Sequence, residues 1–172
     1  MKKIICFATL ALALVFAGCQ KEEIGGTATQ DMAGQWYVHV DGIDENGEIS
    51  MEDPFGMGNF LVLTFNTAAN DKDSIWVDDL GNLWTFKCKV GCDLNSLTFG
   101  SEEEDDKALD AYYGISVEIY GKILPGAATT PSGMPADSIW FDVLFEDDSY
   151  VGYYWDKLRF AGYRYTGLAN DD

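Results

Sequence analysis

Gly34-Gln35-Trp36-Tyr37-Val38-His39-Val40-Asp41 alternates with a period of two. Trp36, Val38 and Val40 fall on one face and Tyr37, His39 and Asp41 on the other, the pattern of a strand with one buried side. Asp44-Glu45-Asn46-Gly47 turns it, since Asn-Gly suits the positive φ values of a tight hairpin. Pro54, Gly56 and Gly58 break the next stretch into a loop. Residues 59–66 then read as a strand apolar on both faces and therefore covered on both.

The same reading carried forward predicts strands over 74–78, over 83–90 with Trp84, Phe86, Cys88 and Val90 aligned, and over 94–99. Tyr113, Ile115, Val117 and Ile119 alternate in another strand. Residues 122–135, with Pro125, Gly126, Pro131, Gly133 and Pro135, read as a loop. Residues 137–146 alternate through Ile139, Phe141, Val143 and Phe145, and 151–155 with 157–165 form the last expected pair. Asp-Ser-Ile-Trp stands at 73–76 and again at 137–140, which hints at equivalent strand entries. Beyond the N-terminal segment no stretch has the spacing of a long amphipathic helix. The expected fold is all-β: an antiparallel barrel of about eight strands, with a two-sheet β-sandwich as the alternative.

The chain has 172 residues, a formal net charge of −18 and 47% hydrophobic residues. That acidity argues against nucleic acid and anionic lipid headgroups as partners of the protein surface, while the apolar content is that of a folded domain. The run Glu102-Glu103-Glu104-Asp105-Asp106 cannot sit in a sheet and reads as a solvated loop, with calcium binding the lesser reading. Cys88 and Cys92 would lie about 13 Å apart in one straight strand, beyond disulfide reach, unless Gly91 bends the chain between them. No histidine or second cysteine pair accompanies them as a metal site, and no cofactor motif occurs.

At the N-terminus, Lys2 and Lys3 precede an apolar run from Ile4 to Phe16 that is too short for a permanent membrane span. Ala17-Gly18-Cys19 follows and resembles the bacterial lipobox, in which the cysteine sulfur is acylated and becomes the new N-terminus. The expected organisation is a lipoprotein signal peptide over 1–18, an acylated tether over 19–33 and one β-barrel domain over 34–172, with the fold beginning near Met32. Diacylglycerol on Cys19 would hold the protein to the membrane. Gln20-Lys21-Glu22-Glu23 resembles the export signal of Bacteroidetes surface lipoproteins, which implies an outer-membrane location facing the cell exterior.

Gly34-Gln35-Trp36 resembles the lipocalin signature, which implies a barrel whose first-strand tryptophan closes one end under a basic residue from late in the chain. Arg159 or Arg164 could be that residue, and the expected closure is Trp36 with Arg164. Further segments (32–38, 52–56, 66–71, 122–138 and 162–167) are similar to those of a Bacteroidetes lipoprotein family labelled lipid-binding putative hydrolase. The resemblance covers the chain beyond its signal segment and implies a small β-domain associated with lipid.

The residues themselves offer little for hydrolysis. A Ser-His-acid site needs a base beside its nucleophile, and the only histidine, His39, is expected on the face opposite Trp36. No Gly-x-Ser-x-Gly elbow occurs, and acid pairs such as Asp78-Asp79 and Asp147-Asp148 point apart. Binding of an apolar, lipid-like small molecule is the preferred reading, with Trp84, Phe86, Phe141 and Phe145 as candidate ligand-lining residues. The same rings would equally serve as a filled core. The alternative is a glycan- or protein-binding module using Tyr37, Tyr153, Tyr154 and Trp155 as exposed aromatics.

Overall fold

The computed structural model describes residues 26–101 and 107–171. The predicted signal peptide, Cys19 and the acidic run at 102–106 lie outside the described residues. Ten strands form one antiparallel sheet: β1 (Gly34–Ile43), β2 (Ile49–Glu52), β3 (Phe60–Asn66), β4 (Ser74–Asp78), β5 (Lys87–Asp93), β6 (Thr98–Ser101), β7 (Ala108–Leu109), β8 (Ser116–Thr129), β9 (Pro135–Phe145) and β10 (Lys157–Arg164). The order β1-β3-β4-β5-β6-β8-β9-β10 closes on itself because β10 also pairs with β1. The fold is thus a closed eight-stranded barrel, with β2 added beside β1 and β7 beside β8. Among the described residues there is no helix.

Alternation decides what faces inward. Trp36, Val38 and Val40 are buried, as are Val62, Ile75, Val77, Cys88, Phe99, Ile119, Phe141 and Phe160 on other strands. These side chains meet and fill the lumen. Phe141 stacks on Phe160 with centroids 4.7 Å apart, Phe99 lies 5.9 Å from Phe141, and Phe86 bridges Phe160 to Phe145 at 5.9 and 5.3 Å. Gly121 makes room for this layer, since a Cβ there would stand 2.4 Å from the Phe141 Cβ and 2.6 Å from the Phe99 ring. Eight strands leave an interior that side chains can fill, and here large rings fill it.

Trp36 plugs one end. Its indole N–H donates to the Thr64 hydroxyl at 2.8 Å, which in turn donates to the Met32 carbonyl. Arg164 caps it from outside, with Cζ 4.4 Å from the ring centroid, Nε bonded to Asp137 at 3.0 Å and Nη1 to the Ala33 carbonyl at 2.8 Å. Residues 28–32 form a turn against this end, with the Ala28 N–H on Asn70 and Met32 fully buried. The folded part therefore starts a few residues before Met32.

Several expected boundaries are corrected. The strand expected over 83–90 begins only at Lys87, because the buried Asp79 carboxylate accepts the backbone N–H groups of Gly81, Leu83, Trp84, Thr85 and Phe86 and holds them in a loop. The loop expected over 122–135 is instead most of a long hairpin, β8 running to Thr129 and β9 starting at Pro135. Pro125 and Gly126 are absorbed by a register shift between Leu124 and Ala128, where a missing ladder N–H is tolerated. Gly126, at φ 63°, donates to Asp137 at 2.9 Å. The strand expected over 94–99 is displaced to β6, because Asp93 accepts from Asn95 and Ser96 and makes a turn of the residues between. β8 begins at Ser116 and leaves Tyr113 in a turn capped by Asp110, while 151–155 is a loop bridged only between Val151 and Trp155. The outward side of β3 is covered by neighbouring side chains and not by a second layer: Phe65 stacks on Trp76 under the Lys87 ammonium.

Candidate functional site

The end of the barrel opposite Trp36 is framed by the long segments that join β1 to β3, β4 to β5 and β9 to β10. Aromatic rings from all three meet there. Trp84 lies flat on Phe145 with centroids 5.0 Å apart and planes 7° from parallel, and Phe55 packs edge-on against Trp84 at 6.1 Å and Trp155 at 5.6 Å. This layer sits above the Phe86, Phe141 and Phe160 rings and seals the mouth.

Local polar chemistry fixes each ring. Asp148, itself buried, accepts the Trp155 indole N–H at 2.9 Å and the Tyr150 backbone N–H at 2.9 Å, folding the β9–β10 segment back over the barrel. Gly42 lets Trp155 lie against β1, since a Cβ there would be 3.0 Å from the tryptophan Cβ. Asp53 does the same for the Phe55 loop. Its carboxylate accepts the Gly58 N–H at 3.0 Å and the Met57 N–H at 2.9 Å, and these bonds hold its pKa below the usual value. Trp84 is placed by the Asp79 loop and donates to Asp147 at 3.2 Å.

A hollow of about 260 Å³ opens on the outer side of this layer, lined by Met51, Pro54, Phe55, Tyr150, Tyr154 and Trp155. Tyr150 and Tyr154 are roughly half exposed while Trp155 is buried and forms a floor. Among the described residues nothing charged lines it. Its dimensions suit part of a small apolar molecule held by ring faces and edges.

The four candidate ligand-lining residues divide. Phe86, Phe141 and Phe145 are buried in the filled interior, whereas Trp84 is half-buried at the mouth. Two of the aromatics expected to be exposed are not: Trp155 is buried for the reasons above, and Tyr37 is half-buried between Tyr163 and Tyr165. Tyr153 is 84% exposed. Pro54, Phe55 and Tyr150 had no signal in the strand pattern, because they sit where the chain has no period, and Met51 lies in β2, a short strand exposed along its length.

His39 lies on the outer wall, with Nε2 3.4 Å from the Asp41 carboxylate. Among the described residues no hydroxyl or thiol is bonded to it, so the pair has no nucleophile beside it. Cys88 and Cys92 carry free thiols, and burial, with Asp110 and Asp79 nearby, pushes the Cys88 thiol up to about 12. No group of ligating side chains suited to a metal ion is present among the described residues.

A family model described as lipid-binding putative hydrolase matches residues 21–169. No curated protein matches the chain.

Proposed function

With that match spanning most of its length, the chain belongs to the lipid-binding putative hydrolase family, and from this we propose that it binds an apolar, lipid-like small molecule at the mouth of the barrel. The observation that carries the reading is the uncharged aromatic hollow over Trp155, built from segments that the buried carboxylate of Asp148 and the carboxylate of Asp53 hold in place. The lumen beneath is occupied by the protein's own rings, so the ligand rests on this layer and does not enter the barrel.

Residues 1–23 support the location. A basic start, an apolar run and Ala17-Gly18-Cys19 support a lipoprotein anchored in the outer membrane by acyl chains on Cys19 and displayed to the exterior. Among the described residues, the chain enters the fold at the Trp36 end, opposite the mouth. The only histidine, His39, stands on the outer wall beside Asp41.

Binding is tested with N-phenyl-1-naphthylamine, a neutral probe whose emission rises in apolar surroundings, added to residues 20–172. Saturable enhancement that Phe55→Ala and Tyr154→Ala each weaken supports the mouth site. Enhancement unchanged in both variants, or none, contradicts it.

A further inference from the structure

Two hollows share the Tyr154 and Trp155 rings. The first is the uncharged one. The second, of about 170 Å³, is lined on its far side by Asp44, Ser50, Tyr153 and Asp156. An apolar hollow thus adjoins, across two shared aromatic rings, one lined by two acidic residues and, among the described residues, by no basic one.

Resting on the mouth as the ligand site, we propose that its ligand is an amphiphile with a cationic head, the apolar body in the first hollow and the head in the second. Tyr153 is 84% and Tyr154 56% exposed, so both rings present faces on which an ammonium group can rest. Asp156 is exposed, and among the described residues its carboxylate accepts no hydrogen bond. Asp44 accepts the N–H groups of Glu48 and Asn46, each at 2.9 Å; the first of these contributes most to holding its carboxyl below the usual pKa, and it stays anionic. Arg159 reaches the Gly47 carbonyl but is paired with Asp142, which it holds at 2.7 and 2.8 Å. A carboxylate or phosphate head would meet like charge in the second hollow, on a chain whose formal charge is −18.

The test compares dodecyltrimethylammonium, dodecyl maltoside and dodecanoate, each below its micelle concentration, by calorimetric titration of residues 20–172. The proposal requires one-to-one binding of the cation about tenfold tighter than the neutral chain, and dodecanoate weakest of the three. Asp156→Asn alone, and with Asp44→Asn, must lower the preference for the cation over dodecyl maltoside in steps. Equal or tighter binding of dodecanoate, a preference that survives both substitutions, or cation uptake at many sites without saturation overturns the cationic head but leaves the mouth intact. Loss of all binding, or binding of all three that Phe55→Ala does not alter, overturns the mouth site itself.

Discussion

Arg164 holds its guanidinium over the Trp36 indole, Cζ 4.4 Å from the ring centroid, with Gly34 beneath it: a Cβ at position 34 would stand 2.3 Å from Nη1. This gives Gly34-Gln35-Trp36 a physical meaning. The glycine is the space through which the arginine passes, the tryptophan is the plug, and the arginine ties β10 to β1 and to Asp137 where the barrel closes.

Arg164→Ala is therefore expected to cost about 2 kcal/mol, from the ring contact and the charged hydrogen bonds together. Gly34→Ala should cost a similar amount by displacing the guanidinium, and the two losses should not add, because both remove one interaction. Urea unfolding of the two single variants and the double variant checks this. Additive losses would show that Gly34 acts by some other route.

The filled lumen predicts a steep response at Gly121. Gly121→Val drives two methyl groups toward Phe141 and Phe99 and should destabilise by about 3 kcal/mol or more. Phe141→Ala should cost about 3–5 kcal/mol and leave a cavity. If Phe141→Ala were nearly neutral in urea unfolding, the interior would not be packed as described.

The strand pattern made the barrel wall legible. Ser74–Asp78 falls where its alternation puts it, and the repeated Ser-Ile-Trp buries Ile75 in β4 and Ile139 in β9 while both tryptophans stay half-buried. Alternation carries no information on the mouth. Phe55 and Trp155 are separated by a hundred residues and meet only because Asp53 and Asp148 fold two loops over the barrel. Trp84 and Phe86 look aligned in sequence, yet Asp79 gathers five N–H groups and separates their roles. Whether rings line a cavity or fill it depends on Phe99, Phe141 and Phe160 converging from three strands, and no single segment displays that.

Acid should weaken the fold through the loop carboxylates. Asp53 is held below its ordinary value of 3.8 by the Gly58 and then the Met57 N–H groups. A folded-state pKa below the unfolded one gives stability that is complete above the ordinary range and is lost as pH falls through the folded value. The urea midpoint should be flat from neutrality to about pH 5 and then fall. Asp53→Asn should be less stable at pH 7 with a shallower acid slope. An unchanged slope would remove Asp53 from the acid response.

The two thiols should differ. Burial first, then Asp110 and Asp79, pushes Cys88 up to about 12, so in folded residues 20–172 at mildly alkaline pH it should stay unmodified by Ellman's reagent. Cys92 is raised as well but only half-buried, and should react first and slowly. Both should react at once in denaturant. Fast native reaction of two thiols would contradict the buried position of Cys88.

A single apolar ligand held at the barrel mouth can be weighed by native mass spectrometry of residues 20–172 after exposure to a bacterial lipid extract. The expected spectrum shows one discrete, acyl-sized mass increment at one-to-one stoichiometry, reduced in Phe55→Ala and Tyr154→Ala. An unliganded spectrum from protein shown to be folded, or an increment that both variants retain in full, would contradict it.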